Sequence, residues 1–351
     1  RAYPFLLSKD VTNLALRGNG PGYPSVCTES MVGDSDIFDV ITLEFHPRGY
    51  DGLPRLARRL RQRFPDAIII FIRLWAPINI RIEDERTIQD WYRDFHHGES
   101  LYDEKLKELV LAEPETTFHF KNLQQADALQ DETVEEVGGH LIKLYRPDDP
   151  RSAIARYPHM FSDDWHHPSE HAHHMIAHQI KDLLGLLNPQ PSNRLGTWGA
   201  GDECHNFYES GKVDLRHDPG FVMKKFHPRA KKYALELKEP ASITVTNKFD
   251  GPRELYLVFM VTGPPPSIYP HVLATFPGTD IPPVEIDPVS TDDFGQAIHI
   301  SKLQSIATIP PGQYVVHFLP LEKKDVPFRL TGVSITGQLD IGPFGYEPAP
   351  V

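Results

Sequence analysis

Cysteine is scarce in this chain: Cys27 and Cys204 are the only two among 351 residues. That count excludes a disulfide-built scaffold and a cysteine-rich metal module; it permits one bridge without requiring it. Long hydrophobic runs are missing as well. The longest, Ala67–Ile72 and Leu255–Val261, are strand-length and far short of the ~20 apolar residues a membrane helix needs, so no membrane span is expected. Positive charge is not in excess either. Against 36 Lys and Arg stand 48 Asp and Glu, a net charge of −12, which argues against a nucleic-acid partner because phosphate backbones are held by clustered basic residues. No Asn-x-Ser/Thr acceptor occurs, which disfavours a heavily glycosylated surface.

What is present is ordinary globular composition, 40% hydrophobic, at a length that suits two domains. The first half alternates strand-like and helix-like segments, as a parallel sheet with crossover helices requires. Strands are expected at about 11–17, 38–45, 67–74 and 139–146, and helices at about 52–64, 101–111, 121–137 and 168–187. The basic run from Arg55 to Arg63 alternates with Leu56, Leu60 and Phe64 at helical spacing and reads as a solvated helix face. Trp75 to Ser100 reads as an insertion near the carboxyl edge of the sheet, either shaping a pocket or packing as a flap. Prolines and glycines near residue 190 end the pattern. The division is therefore an α/β domain over 1–188, a linker over 189–203 and a second domain over 204–351. In that second domain, short runs (Tyr233–Leu237, Ser242–Thr246, Leu255–Val261, Ala297–Ile300, Tyr314–Phe318, Phe328–Ile335) predict an antiparallel β-sandwich of jelly-roll or immunoglobulin-like kind. Trp198, Tyr208, Tyr256 and Tyr269 are candidates for stacking on sugars or for the core.

The stretch from Asp163 to His178 carries the chemistry. Asp164 precedes His167 by three residues at a helix entrance marked by Pro168 and Glu170, and the apolar residues Ala172, Ile176, Ile180, Leu183, Leu184 and Leu187 continue the helix. A carboxylate at Asp164 is placed to accept the Nδ1 proton of His167 and leave Nε2 as a base; Asp163 with His166 repeats the spacing.

Asp164-Trp-His-His167-Pro168 resembles the last motif of the SGNH (GDSL-type) hydrolases. Upstream, Val11-Thr-Asn13-Leu-Ala-Leu-Arg-Gly18 is similar to that family's second motif, and the strand Phe38–Phe45 to the approach of its third. The resemblance covers residues 1 to about 187. It implies a flavodoxin-like three-layer α/β domain of strand order 2-1-3-4-5, ester hydrolysis or O-acyl transfer, and no cofactor. His167 and Asp164 become the catalytic pair, Gly18 an oxyanion-hole N–H, and His173 a structural residue. A small ester or an acylated glycan is then the expected substrate, and a secretory or extracellular location the expected setting.

Two departures accompany it. Arg48 stands where the family has its oxyanion-hole asparagine, and no Gly-Asp-Ser nucleophile block precedes Asn13. Gly33-Asp34-Ser35 spells the tripeptide after the second motif rather than before it; Ser25 and Ser8 have no motif around them. The strand that carries the nucleophile is central in this fold. Its loss would leave unpaired backbone groups at about 1–3 kcal/mol each, against a domain stability of roughly 5–15 kcal/mol. The expectation is that residues upstream of Arg1 supply it, or that another segment fills the slot, and that residues 1–351 are inactive by themselves.

Two other readings follow from the same residues. One is a non-catalytic scaffold or glycan- and protein-binding protein. The other is metal binding by His167, His171, His174 and His178, which recur at helical spacing, although the His-Glu-x-x-His pattern is absent.

Overall fold

In a computed structural model the protein is described over residues 3–15, 20–33, 36–45, 52–75, 80–82, 118–120, 124–144, 160–161, 167–188, 191, 194–198, 202–208, 211–226, 232–262, 265–290 and 300–336. In chain order the elements are α1 (Pro4–Leu7), α2 (Gly22–Met31), β1 (Val40–Phe45), α3 (Leu53–Arg63), β2 (Ile68–Arg73), β3 (Ile80–Ile82), β4 (Phe118–Phe120), α4 (Gln124–Glu136), β5 (His140–Lys143) and α5 (Glu170–Leu187). Strands alone follow: β6 (Asp202–Asn206), β7 (Arg216–His217), β8 (Phe221–Lys225), β9 (Tyr233–Leu237), β10 (Ala241–Asn247), β11 (Arg253–Val261), β12 (Val272–Thr275), β13 (Val284–Ile286), β14 (Ile300–Ile309), β15 (Gly312–Pro320) and β16 (Phe328–Thr336). By contacts they divide into two compact units, one of Arg1–Ala15, Phe38–Tyr50 and Asp66–Arg194, the other of Leu16–Ile37, Asp51–Pro65 and Leu195–Val351.

The first unit is built on a parallel sheet in the order β1-β2-β5. Its middle strand is apolar on both faces, with Ile69, Ile70, Phe71 and Ile72 all buried, which is what a strand covered by helices on both sides demands. Ile70, Ile72 and Ile142 pack with Ala172, Ile176, Ala177 and Ile180 of α5. That helix starts two residues later than the proline suggests: Ser169 is the N-cap, its Oγ accepting from the Ala172 N–H at 3.2 Å, and Pro168 lies just outside. At the far end Asn188 closes the helix in the left-handed region. Arg73, the last residue of β2, donates to Gln130 Oε1 at 2.6 Å and to Asp131 at 2.8 Å, fastening α4 to the strand end. The strand expected over 11–17 does not form over 11–15. There the Asn13 side chain accepts from the Ala15 N–H at 3.0 Å, a local turn that competes with sheet pairing. The rest of that segment, the helix expected at 101–111 and most of the 75–100 insertion lie outside the described residues.

The second unit is an antiparallel sandwich. A five-stranded sheet β13-β12-β15-β10-β7 faces a six-stranded one ordered β14-β11-β16-β9-β8, with β6 joined to β16 beyond the end of β9. Alternation is visible in β10, where Ala241, Ile243, Val245 and Asn247 are buried and Ser242, Thr244 and Thr246 are half-exposed. Between the sheets lies one core that includes Phe221, Leu257, Phe259, Phe318 and Phe328. The outer face of the larger sheet has a cover of its own: Val258 and Met260 pack with Tyr23, Val26 and Cys27 of α2, which the sequence pattern did not predict. Cys27 is disulfide-bonded to Cys204 of β6. The two cysteines, on opposite sides of the linker in sequence, thus belong to one unit.

The arginines of α3 overturn the solvated-face reading. Arg55 and Arg59 are 2% and 1% exposed, and both bind the buried carboxylate of Asp202. Arg59 also pairs with Glu29 at 3.1 Å. Leu53, Leu56 and Leu60 are buried too, so α3 is covered on more than its apolar stripe. A carboxylate 147 residues downstream of Arg55, invisible to helical periodicity, makes the burial tolerable by pairing the charge.

Candidate active site

Strand periodicity puts Thr42 and Glu44 of β1 on one face of the sheet. Against that face sits the buried Tyr3, whose hydroxyl donates to Thr42 Oγ1 at 3.3 Å and also shares a hydrogen bond with Glu44. Burial, reinforced by the Glu44 charge, pushes the Tyr3 phenol far above its ordinary range, so it stays a donor. Burial also raises the Glu44 carboxyl; the Tyr3 hydrogen bond and the positive field of His167 offset part of that rise.

His167 closes a loop whose ends are clamped together. Phe161 and Pro168 form an isolated antiparallel bridge, and the Ser169 N–H donates to the Met160 carbonyl at 3.0 Å. Phe161 packs edge-on to Trp75, 4.6 Å between ring centroids, two residues beyond the carboxyl end of β2. The loop is thereby held at the carboxyl end of the parallel strands, where open α/β sheets bind ligands. His167 itself is exposed and near enough to Glu44 and His173 for its charge to act on both. His173 is half-buried, its ring 6.0 Å from that of Tyr3; burial first, then the charges of His167 and His174, lower its pKa and favour the neutral imidazole.

Of the residues singled out from sequence, His167 is therefore placed. Asp164, Gly18 and Arg48 lie outside the described residues, as do Asp163, His166 and Ser35. Ser25 is buried within α2 with its hydroxyl donating to the Gly22 carbonyl at 2.6 Å, an arrangement that occupies it structurally. His171, His174 and His178 are exposed along α5, and among the described residues no three metal-ligand side chains cluster. Tyr3 and Glu44 were given no role from sequence. The one available signal was a carboxylate in an otherwise apolar strand, Val-Ile-Thr-Leu-Glu44-Phe. In the second unit Trp198, Tyr208 and Tyr269 are buried, which settles them as core, while Tyr256 is half-exposed and lines a cavity.

No family model and no curated protein matches this sequence. Among solved structures the chain is similar to a two-domain esterase active on acetylated mannans, co-crystallised with mannopentaose, at a TM-score of 0.53 and 12% identity over 95% of this chain and 84% of that one. A second structure of a two-domain esterase active on acetylated mannans aligns over 90% and 77% at 12% identity and a TM-score of 0.48. A family 35 carbohydrate-binding module from Clostridium thermocellum aligns over 39% of this chain and 99% of its own at 9% identity, TM-score 0.28. The likeness to the first is one of fold alone.

Proposed function

We propose that the protein is an SGNH-like ester hydrolase that removes acyl groups from a glycan. The observation that carries this reading is the clamped loop that presents His167 at the carboxyl end of a parallel sheet, near the half-buried Glu44. The similarity in fold to an esterase active on acetylated mannans supports it and suggests the substrate class.

In the proposed reaction a serine hydroxyl attacks the acyl carbonyl while His167 Nε2 takes its proton, with Asp164 holding Nδ1–H. The Gly18 N–H and the Arg48 guanidinium receive the charge on the carbonyl oxygen; a guanidinium is a stronger donor than the family's asparagine amide but a less finely placed one. Collapse breaks the ester bond, His167 returns the proton to the sugar hydroxyl, and water then releases the acid by the same steps in reverse order. The nucleophile is assigned upstream of Arg1, on a strand that pairs with β1. Among the described residues β1 pairs only with β2, and its other edge carries half-exposed Val40, Ile41 and Phe45. An apolar edge of that kind calls for a neighbouring strand. With that strand the sheet acquires the flavodoxin-like order; without it residues 1–351 do not turn over.

The Cys27–Cys204 bond supports a secreted setting. The domain division at 189–203 belongs to the same proposal. The test compares p-nitrophenyl acetate hydrolysis by residues 1–351 with that of the chain extended upstream as its transcript encodes. Turnover confined to the extended protein is expected; turnover by residues 1–351 would move the nucleophile inside this chain.

A further inference from the structure

The proposed mechanism uses His167 and leaves two groups beside it without a role, Tyr3 and Glu44. All three belong to the first unit. Glu44 is the penultimate residue of β1, so its side chain emerges near the carboxyl end of the sheet, on the same face as Thr42. The sheet surrounds it with apolar residues: Ile72 is its register partner on β2, and Leu43 and Phe45 flank it along β1. A half-buried carboxylate in that setting costs free energy that an apolar residue would not, and burial raises its pKa accordingly.

Two groups offset that cost. The buried Tyr3 hydroxyl, 3.3 Å from Thr42 Oγ1, shares a hydrogen bond with Glu44 and stays protonated, so it serves the carboxylate as a permanent donor. The second is His167, whose positive charge favours the ionised Glu44. His173 is also close, its ring 6.0 Å from that of Tyr3, but burial foremost, and then the charges of His167 and His174, favour its neutral form. Among the described residues the cation acting on Glu44 is thus His167.

Packing ties the pair together. Tyr3, Ile72, Trp75 and Met160 belong to one apolar cluster, and Phe161 packs against it. Met160 and Phe161 are also the residues that clamp the His167 loop, through Ser169 and Pro168. One body of packed side chains therefore sets both the hydroxyl on Glu44 and the loop that carries His167.

We infer that Glu44 is a positioning residue for His167: its carboxylate, held by the Tyr3 hydroxyl, is the counter-charge to the imidazolium that forms when His167 takes a proton. The catalytic part of this inference rests on the reading of His167 as the base. In that step the proton passes from the nucleophile's hydroxyl to His167 Nε2, and the Glu44 charge lowers the cost of the cation.

Heteronuclear NMR of the imidazole rings follows the titration of His167 in residues 1–351, its signal assigned by its loss in His167→Ala. Glu44→Gln should lower the His167 midpoint by roughly 0.5 pH unit or more, the effect of losing an opposite charge, reduced by the exposure of His167. Glu44→Asp keeps the charge and should retain most of the parent value. Should Glu44→Gln fail to fold, the reciprocal measurement remains. His167→Ala, at an exposed position, should raise the Glu44 carboxyl midpoint by a similar amount, because the coupling is mutual. In the upstream-extended protein, Glu44→Gln should move the acid limb of the kcat/KM profile down with the His167 midpoint. A His167 midpoint unmoved in Glu44→Gln, or moved equally in Glu44→Asp, overturns the inference, as does a Glu44 midpoint indifferent to His167→Ala. The two proposals fail separately. The NMR shift without any esterase activity in the extended protein sinks the hydrolase and keeps the Glu44–His167 pairing, whereas hydrolysis that needs His167 but shows no shift keeps the hydrolase and sinks the pairing.

Discussion

Arg55 and Asp202 stand 147 residues apart in sequence and meet through two hydrogen bonds of 2.9 and 3.0 Å, with both side chains almost entirely out of solvent. Arg59 reaches Oδ2 of the same carboxylate at 3.0 Å, and Glu29 joins from α2. Removing Asp202 would take from two buried guanidinium groups the buried carboxylate they share. Asp202→Ala should therefore cost about 3–5 kcal/mol of stability, measured by urea unfolding, the range seen when one partner of a buried pair is deleted. A loss under 1 kcal/mol would show that the network contributes little.

The Cys27–Cys204 bond ties α2 to β6 across a sequence separation of 177. A loop that long gives up much chain entropy when closed, so a Cys27→Ser, Cys204→Ser double variant should lose about 2–5 kcal/mol, and reductant should lower the midpoint of the parent protein but not of the variant.

Gly52 is held at φ +81° with a neighbouring backbone in the way. Gly52→Ala meets both a left-handed penalty of about 1–2 kcal/mol and a steric clash, and should lower Tm by several degrees. Gly251→Ala is the control, since nothing lies within 4 Å of its added methyl group.

Glu44 offers a pH signature. Its carboxyl is raised above the ordinary 4.5 by burial, so the folded protein binds its proton more tightly than the unfolded chain does. The stability this gives is complete below the unfolded value and is lost as pH rises through the folded one. Glu44→Gln should thus match the parent below about pH 4.5 and exceed it in Tm at neutral pH. Equal stability at both ends would show that the His167 and Tyr3 contacts fully compensate the burial.

Part of the sandwich was legible: β9 was found to the residue at Tyr233–Leu237, and β10, β11, β15 and β16 to within two residues at either end, whereas the run expected at Ala297–Ile300 reaches only the first described residue of β14 and β12 was not expected. Sequence periodicity failed where a distant partner decides the outcome. Arg55 and Arg59 look like surface residues until Asp202 is brought to them, and α2, with Gly22, Pro24 and Thr28 in its ten residues, carries no apolar stripe to announce it. Over residues 11–15 the expected strand yielded to the local Asn13 turn. His167 was singled out because the pattern around it is local, an acid and a proline at fixed steps. Tyr3 and Glu44 were not, because they meet only once the sheet has formed.

The central claim is that His167 is the acid–base of an esterase. It is tested most directly by His167→Ala in the upstream-extended protein, assayed for acetate release from acetylated mannan and checked for an unchanged thermal midpoint. A fall in kcat of about six orders of magnitude, in keeping with loss of a triad histidine, is the predicted result. Turnover within about twofold of the parent would contradict the account and remove His167 from the chemistry.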